Sequence, residues 1–154
     1  MNESLIQNIV YRWANRKGHQ SIIPNIYVYS WESDMISITK AGYLHEYEIK
    51  ITKSDFKADM KKQKKHQILE KGLTANRPNY FWYVCPDCII KYEDIPAYAG
   101  VIYIGENYIR WNKRRKAPLL HKEKVREYIL QKMINSFTAK YWLLRLEQQQ
   151  RLPI

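Results

Sequence analysis

Asp34 to Lys50, DMISITKAGYLHEYEIK, has the form of a β-hairpin whose two arms bring an Asp, a Glu and a Lys together. Ile36 and Ile38 on one arm and Tyr47, Ile49 and Ile51 on the other are strand-forming residues. Lys40-Ala41-Gly42 between them suits a three-residue turn with Gly42 in the left-handed region. A turn centred on Ala41 sets the register. Asp34 and Glu48 each lie seven residues from it and face one another, and Lys50 projects from the same face two residues on.

The chemistry of that cluster is specific. Two carboxylates with Cβ atoms roughly 4.5 to 5.5 Å apart repel each other unless a cation sits between them, and hard oxygen ligands favour Mg2+ or Mn2+. The register therefore predicts a divalent-metal site at Asp34 and Glu48. Such a metal polarises a phosphodiester and acidifies bound water, while the Lys50 ammonium stabilises developing charge or orients the nucleophile. The competing reading is a surface hairpin in which Glu48 pairs with a neighbouring lysine.

Asp34, then thirteen residues, then Glu48-Ile49-Lys50 at the end of a hairpin resembles the PD-(D/E)xK nuclease superfamily. The wider stretch WESDMISITKAGYLHEYEIKITKSDFKADMKK, followed by RPNYFWYVCPD, IPAYAGVIYI and KAPLL, is similar to small phage and prophage proteins of that superfamily, from about residue 3 to residue 121. The resemblance implies a restriction-endonuclease-like fold, with Asp34 and Glu48 as metal ligands and Lys50 as the catalytic lysine. Ser33 stands where the superfamily's name has proline.

A chain of 154 residues with 45% hydrophobic content is enough for one domain, residues 1–154, and too short for two ordinary ones. Twenty-six Lys and Arg against fifteen Asp and Glu give a formal charge of +11, which points to a polyanionic partner, most simply nucleic acid. The start, MNESLIQN, has neither a basic n-region nor an apolar h-region, and no stretch approaches eighteen uninterrupted apolar residues. The expectation is a cytoplasmic protein with no membrane partner, in a bacterial host cell if phage-encoded. Cys85 and Cys88 form a lone CPDC without a second pair, and His66 and His121 are remote in sequence; structural thiols are favoured over half a zinc site or a redox pair.

Along the chain, Asn2 caps a predicted helix running to about Lys17, with Ile6, Ile9, Val10 and Trp13 inward and Gly18 ending it. Glu3 shares that stripe, as a first-turn acid favoured by the helix dipole or as a further metal-site acid of the kind some members of the resembled superfamily carry. Ser21 to Ser30 reads as the first strand. Glu32 falls opposite Lys50, to pair with it or to approach the metal. Ser54 is placed to cap a helix carrying a basic stripe of Lys57, Lys61, Lys64 and Lys65, with Lys53 just before it. The stripe is read as a phosphate-backbone contact, against the alternative of a solvated face.

NYFWYV and AGVIYI are apolar runs of strand length, expected inside the sheet, with a short helical crossover at IIKYEDIP between them. Tyr108 to Trp111 reads as an edge strand. Lys113, Arg114, Arg115 and Lys116 form a second basic cluster, a solvated loop or a phosphate clamp. From about 122 to 149 a long helix carries Val125, Ile129, Met133, Phe137, Tyr141 and Leu144 along one stripe, and Trp142, Leu143 and Leu146 widen it enough for a homodimer contact. The expected architecture is α/β, a central mixed sheet of about five strands flanked by helices, with that long C-terminal helix. The expected function is Mg2+- or Mn2+-dependent hydrolysis of DNA phosphodiesters without base reading. The rival is a non-catalytic nucleic-acid-binding module on the same fold, and RNA is not distinguished from DNA as the substrate.

Overall fold

The turn at Ala41 fixes the hairpin, and the hairpin fixes the sheet. Gly42 takes φ +84°, which only glycine adopts without strain, and its N–H donates to the Thr39 carbonyl at 2.9 Å while the Thr39 N–H donates to the Tyr43 carbonyl at 2.9 Å. The computed structural model describes residues 1–73, 76–105 and 115–151. In it the arms become β2 (Glu32–Ile38) and β3 (Leu44–Ile49), paired antiparallel with Met35 opposite Tyr47 and Ile38 opposite Leu44. That is the register the turn predicted.

On the outer side of β2 lies β1 (Gln20–Tyr27), antiparallel, with Pro24 tolerated because this strand ends the sheet. On the other side β3 pairs in parallel with β4 (Tyr80–Pro86), and β4 in parallel with β5 (Ala99–Ile104), giving a five-stranded mixed sheet in the order β1-β2-β3-β4-β5. The connection from β4 to β5 contains one 3-10 turn, Tyr92–Asp94. Although AGVIYI reads as an interior strand and all six residues of β5 are buried, β5 is the last strand among the described residues, met at Val101 by an isolated bridge to Arg115. The edge strand expected at Tyr108 to Trp111 falls outside the described residues.

Strand alternation sorts the core onto two faces. Met35, Tyr47, Ile49, Trp82, Val84 and Ile102 meet Ile6, Ile9 and Val10 of α1 (Glu3–Arg16), which Asn2 caps by accepting the Leu5 N–H at 2.9 Å. The opposite face carries Phe81, Tyr83, Val101 and Tyr103 under Phe56 of α2 (Lys53–Met60) and Leu69 of α3 (Gln63–Lys71). Glu46 and Glu48 alternate with Tyr47 and Ile49, so both acids point into this second face.

Three helical expectations are corrected. The helix after the hairpin is two helices, and its cap is Thr52 rather than Ser54: Thr52 and Asp55 form a capping box. The long helix, α4 (Glu127–Gln150), begins later than expected and buries only Ile129 and Met133 of its stripe, against Ile23, Ile26, Ile36, Ile38 and Leu44. A helix of 24 residues is about 36 Å long and an eight-residue strand about 26 Å, so α4 outruns the sheet it covers. Phe137, Tyr141, Trp142, Leu143, Leu144 and Leu146 are exposed in consequence. No helix among the described residues is long and apolar enough to cross a membrane.

One buried histidine makes the fold sensitive to acid. His45 is stacked against Tyr80 at 4.4 Å, lies 4.7 Å from the His19 ring and accepts the Trp82 indole N–H on Nδ1 at 3.1 Å. Burial, and then the neighbouring His19, push it from 6.5 down to about 3. Below 6.5 the unfolded chain takes up a proton that the folded chain refuses, so this contribution is complete above pH 6.5 and is lost as pH falls toward 3. Replacing His45 with Gln should flatten the fall in thermal unfolding midpoint over that interval; a calorimetric series in which the variant loses as much as the parent would contradict it.

Candidate functional site

Where the hairpin arms separate, the Asp34 side chain takes over from the ladder: its Oδ2 accepts the Ile49 N–H at 2.7 Å. This holds the half-buried Asp34 beside Glu48, whose side chain points beneath α2 and α3. Burial, and next the Glu48 charge, raise Asp34 from 3.8 to about 7, against the Ile49 N–H and Lys50, which lower it. Glu3 adds a smaller upward push, and it reaches the site indirectly. Gln7 donates to Glu3 Oε1 at 3.2 Å and to the Asp34 carbonyl at 3.0 Å, so the first helix is tied to the Asp34 backbone.

Glu48 is 2% exposed and both its oxygens meet lysines: Lys50 Nζ lies 2.6 Å from Oε1 and Lys65 Nζ 2.7 Å from Oε2. Lys50 therefore pairs with Glu48 and, at 3.8 Å, with Asp59, in place of the expected pairing with Glu32, which is exposed. Asp59 is 1% exposed and gathers a ring of donors: Lys65 Nζ at 3.2 Å, Lys62 Nζ at 3.3 Å, the Tyr83 hydroxyl at 2.9 Å and His66 Nε2 at 3.5 Å. Burial would raise its pKa, but the His66 contact and the charges of Lys65 and Lys50 outweigh it and hold the carboxyl well below the usual range. Burial likewise works against the Lys65 charge, and Glu48, Glu46 and Asp59 reverse it, raising that pKa.

Lys65 thus leaves the proposed exposed stripe. It is 5% exposed and belongs to the interior cluster. In one straight helix, residues 59 and 65 would point about 120° apart; the break at Lys61 and Lys62 brings Asp59 and Lys65 together. Sequence reasoning missed Asp59, His66, Tyr83 and Glu46. The available signal for Asp59 was its position three residues from the apolar Phe56, on the same helical face. Glu46, two residues before Glu48, is fully buried, accepts the Trp31 indole N–H on Oε1 at 2.6 Å, and has no hydrogen-bond partner on Oε2. Burial first, and Glu48 in part, raise it to about 7.

Asp34 and Glu48 are the carboxylates that could hold a hard divalent cation; among the described residues no ion pair reaches Asp34, while both Glu48 oxygens carry lysines. No group of three or more His, Cys, Asp or Glu placed to hold a metal is found among the described residues. Cys85 and Cys88 are both free thiols; Cys85 is buried, and burial pushes its thiol up to about 12, which suits packing better than ligation.

No protein-family model matches the chain, and none of the curated proteins searched is significantly similar to it. Among solved structures, the SPO1766 protein of unknown function from Silicibacter pomeroyi is similar, with a TM-score of 0.65 and 20% identity over 97% of this chain and 93% of that one. At that identity the likeness concerns the fold alone.

The remaining basic residues divide by environment. Lys53, Lys57, Lys61 and Lys64 are exposed, and Lys53 and Lys57 line a cleft of about 400 Å3 with Phe56, Ile89, Ile90 and Lys91. Lys113 and Arg114 lie outside the described residues, and Lys116 is exposed. Arg115 is not the open phosphate clamp considered from sequence. Its Nη2 donates to the carbonyls of Ile95 at 3.0 Å, Pro96 at 2.5 Å and Ala99 at 2.8 Å, and its guanidinium sits 5.2 Å from the Tyr92 ring centre. Arg115→Ala should accordingly lower stability by about 2 to 4 kcal/mol in urea unfolding, since hydrogen bonds to a charged group are worth about 1.5 to 3 kcal/mol each.

Proposed function

We propose that the protein is a metal-dependent nuclease that hydrolyses DNA phosphodiesters, on a restriction-endonuclease-like sheet of the PD-(D/E)xK kind. The observation that carries this reading is the placement of Asp34 beside Glu48 at the splayed end of one hairpin, with Lys50 Nζ 2.6 Å from Glu48. The resemblance of the same residues to the superfamily's motif supports it, as does a mixed sheet with helices on both faces. Asp34 and Glu48 would hold Mg2+ or Mn2+, which when bound supplies Lewis acidity toward a phosphoryl oxygen and lowers the pKa of a water.

The chain's own groups do the rest. Lys50, 8% exposed, lies at the margin of the cluster, and its ammonium is held by Glu48 and Asp59. From there it orients the attacking water or offsets charge developing on the phosphoryl group. The exposed Lys53, Lys57, Lys61 and Lys64 follow within fifteen residues of Lys50 and anchor the backbone on either side of the cut. The net charge of +11 favours such a polyanion over an acidic peptide of low charge density.

Plasmid, linear, single-stranded and four-way-junction DNA incubated with Mg2+, Mn2+ or EDTA tests the reading directly. Asp34→Asn and Glu48→Gln should abolish cleavage while DNA binding is kept or slightly tightened, because each removes a negative charge that repels phosphate. Lys50→Met should lose rate with Mn2+ binding largely kept, since an ionised lysine is not a ligand. Cleavage by Asp34→Asn at the parent's rate would exclude this site.

The surface lysines give an independent measurement. On duplex DNA the slope of log K against log salt is about −0.9 per neutralised phosphate, so replacing Lys57 and Lys61 with Ala should flatten it by roughly one to two units, equally for unrelated sequences. Weaker binding at an unchanged slope would mean that these lysines act through the fold and not through charge.

A further inference from the structure

Glu48 faces two demands at once. As a metal ligand it must offer an oxygen, yet both oxygens are covered by ammonium groups, Lys50 at 2.6 Å and Lys65 at 2.7 Å, and the residue is only 2% exposed. Lys50 is part of the hairpin itself. Lys65 comes from α3, a separate element, and its only route out of the ion pair without stranding a buried charge is another carboxylate. That carboxylate is already within reach: Asp59 Oδ1 is 3.2 Å from Lys65 Nζ.

We infer that Lys65 acts as a plug in this site, competing with a divalent cation for Glu48, and that Asp59 is the acceptor to which Lys65 is handed when Glu48 is released. This rests on the metal-dependent reading above and adds a regulated entry step to it. Asp59 is suited to the part because the Tyr83 hydroxyl at 2.9 Å and His66 at 3.5 Å hold its other oxygen, which fixes Oδ1 toward the lysines. His66 is itself hydrogen-bonded to the Asp59 carbonyl at 2.8 Å and to the Tyr98 hydroxyl, so the acceptor does not move with its guest. With Lys65 on Asp59, Lys50 still covers Glu48 Oε1, and Oε2 is free to share a cation with Asp34. Lys65 and Asp59 are thus positioning residues for the proposed reaction.

The two residues make opposite predictions, which a structural role would not. In isothermal titration with Mn2+, Lys65→Met should bind at least tenfold more tightly than the parent, because the competitor is gone. Asp59→Asn should bind several-fold more weakly, because Lys65 then has only Glu48. Lys71→Met, which removes one exposed charge from the same helix, should change affinity less than twofold and so separates plugging from a general field. Should Lys65→Met fail to fold by circular dichroism, Lys65→Gln gives the same reading. The inference is overturned if the folded Lys65 variant binds Mn2+ no more tightly than the parent, or if Lys71→Met tightens it equally. If the parent and every variant bind no Mn2+, the metal-dependent reading itself has failed and the plug falls with it.

Discussion

Two carboxylates and two ammonium groups share the interior between β3 and the α2–α3 pair, and the site depends on their mutual neutralisation. Glu48, Asp59, Lys50 and Lys65 are each less than a tenth exposed. An isolated charge in such a place costs several kcal/mol, whereas a closed set in which every charge has an opposite at 2.6 to 3.8 Å is tolerable. The requirement reaches outward into the backbone. Because Asp59 and Lys65 must point inward together, the chain cannot run straight from Lys53 to Lys71, and a break between α2 and α3 follows. Tyr83 and His66 complete the set by giving Asp59 donors on its second oxygen.

The cluster keeps its position because the hairpin beneath it is pinned at both ends. At the turn, Asn79 accepts the Leu44 N–H at 2.8 Å and donates to the carbonyls of His121 and Glu123, stitching β3 to the segment that leads to α4. At the open end, Asp34 accepts the Ile49 N–H. A carboxylate that closes a strand end in this way is held by the backbone and does not depend on its rotamer alone.

Charge is distributed unevenly along this face. The lysines gather at the Glu48 and Asp59 end, while at Asp34 burial and two nearby acids, Glu48 and Glu3, raise the pKa against the Ile49 N–H and Lys50. Among the described residues no ion pair reaches Asp34, whereas Glu48 and Asp59 are each paired with lysines. Lys53, Lys57 and Lys64 of α2 and α3 are exposed, in contrast to Lys65.

Sequence alone determined much that depends on local spacing, though not the Thr52 cap or the break between α2 and α3. The Ala41 turn and period-2 alternation fixed which residues face each other across β2 and β3, the Asn2 cap and Gly18 bounded α1, and apolar runs identified β4 and β5. The tertiary structure alone decided which charges were inside. Lys65 and Lys64 are neighbours of the same chemistry, yet one is buried against Glu48 and the other is in water, and no pattern of lysines separates them. Arg115 likewise reads as part of a basic run but is consumed by the carbonyls of Ile95 and Pro96 and of Ala99 at the start of β5, some sixteen to twenty residues away in sequence. The stripe of α4 was legible, but where the sheet beneath it ends was not. Turns, caps and alternation are set by bonds within a few residues, whereas the burial of a charge depends on which distant group arrives to neutralise it.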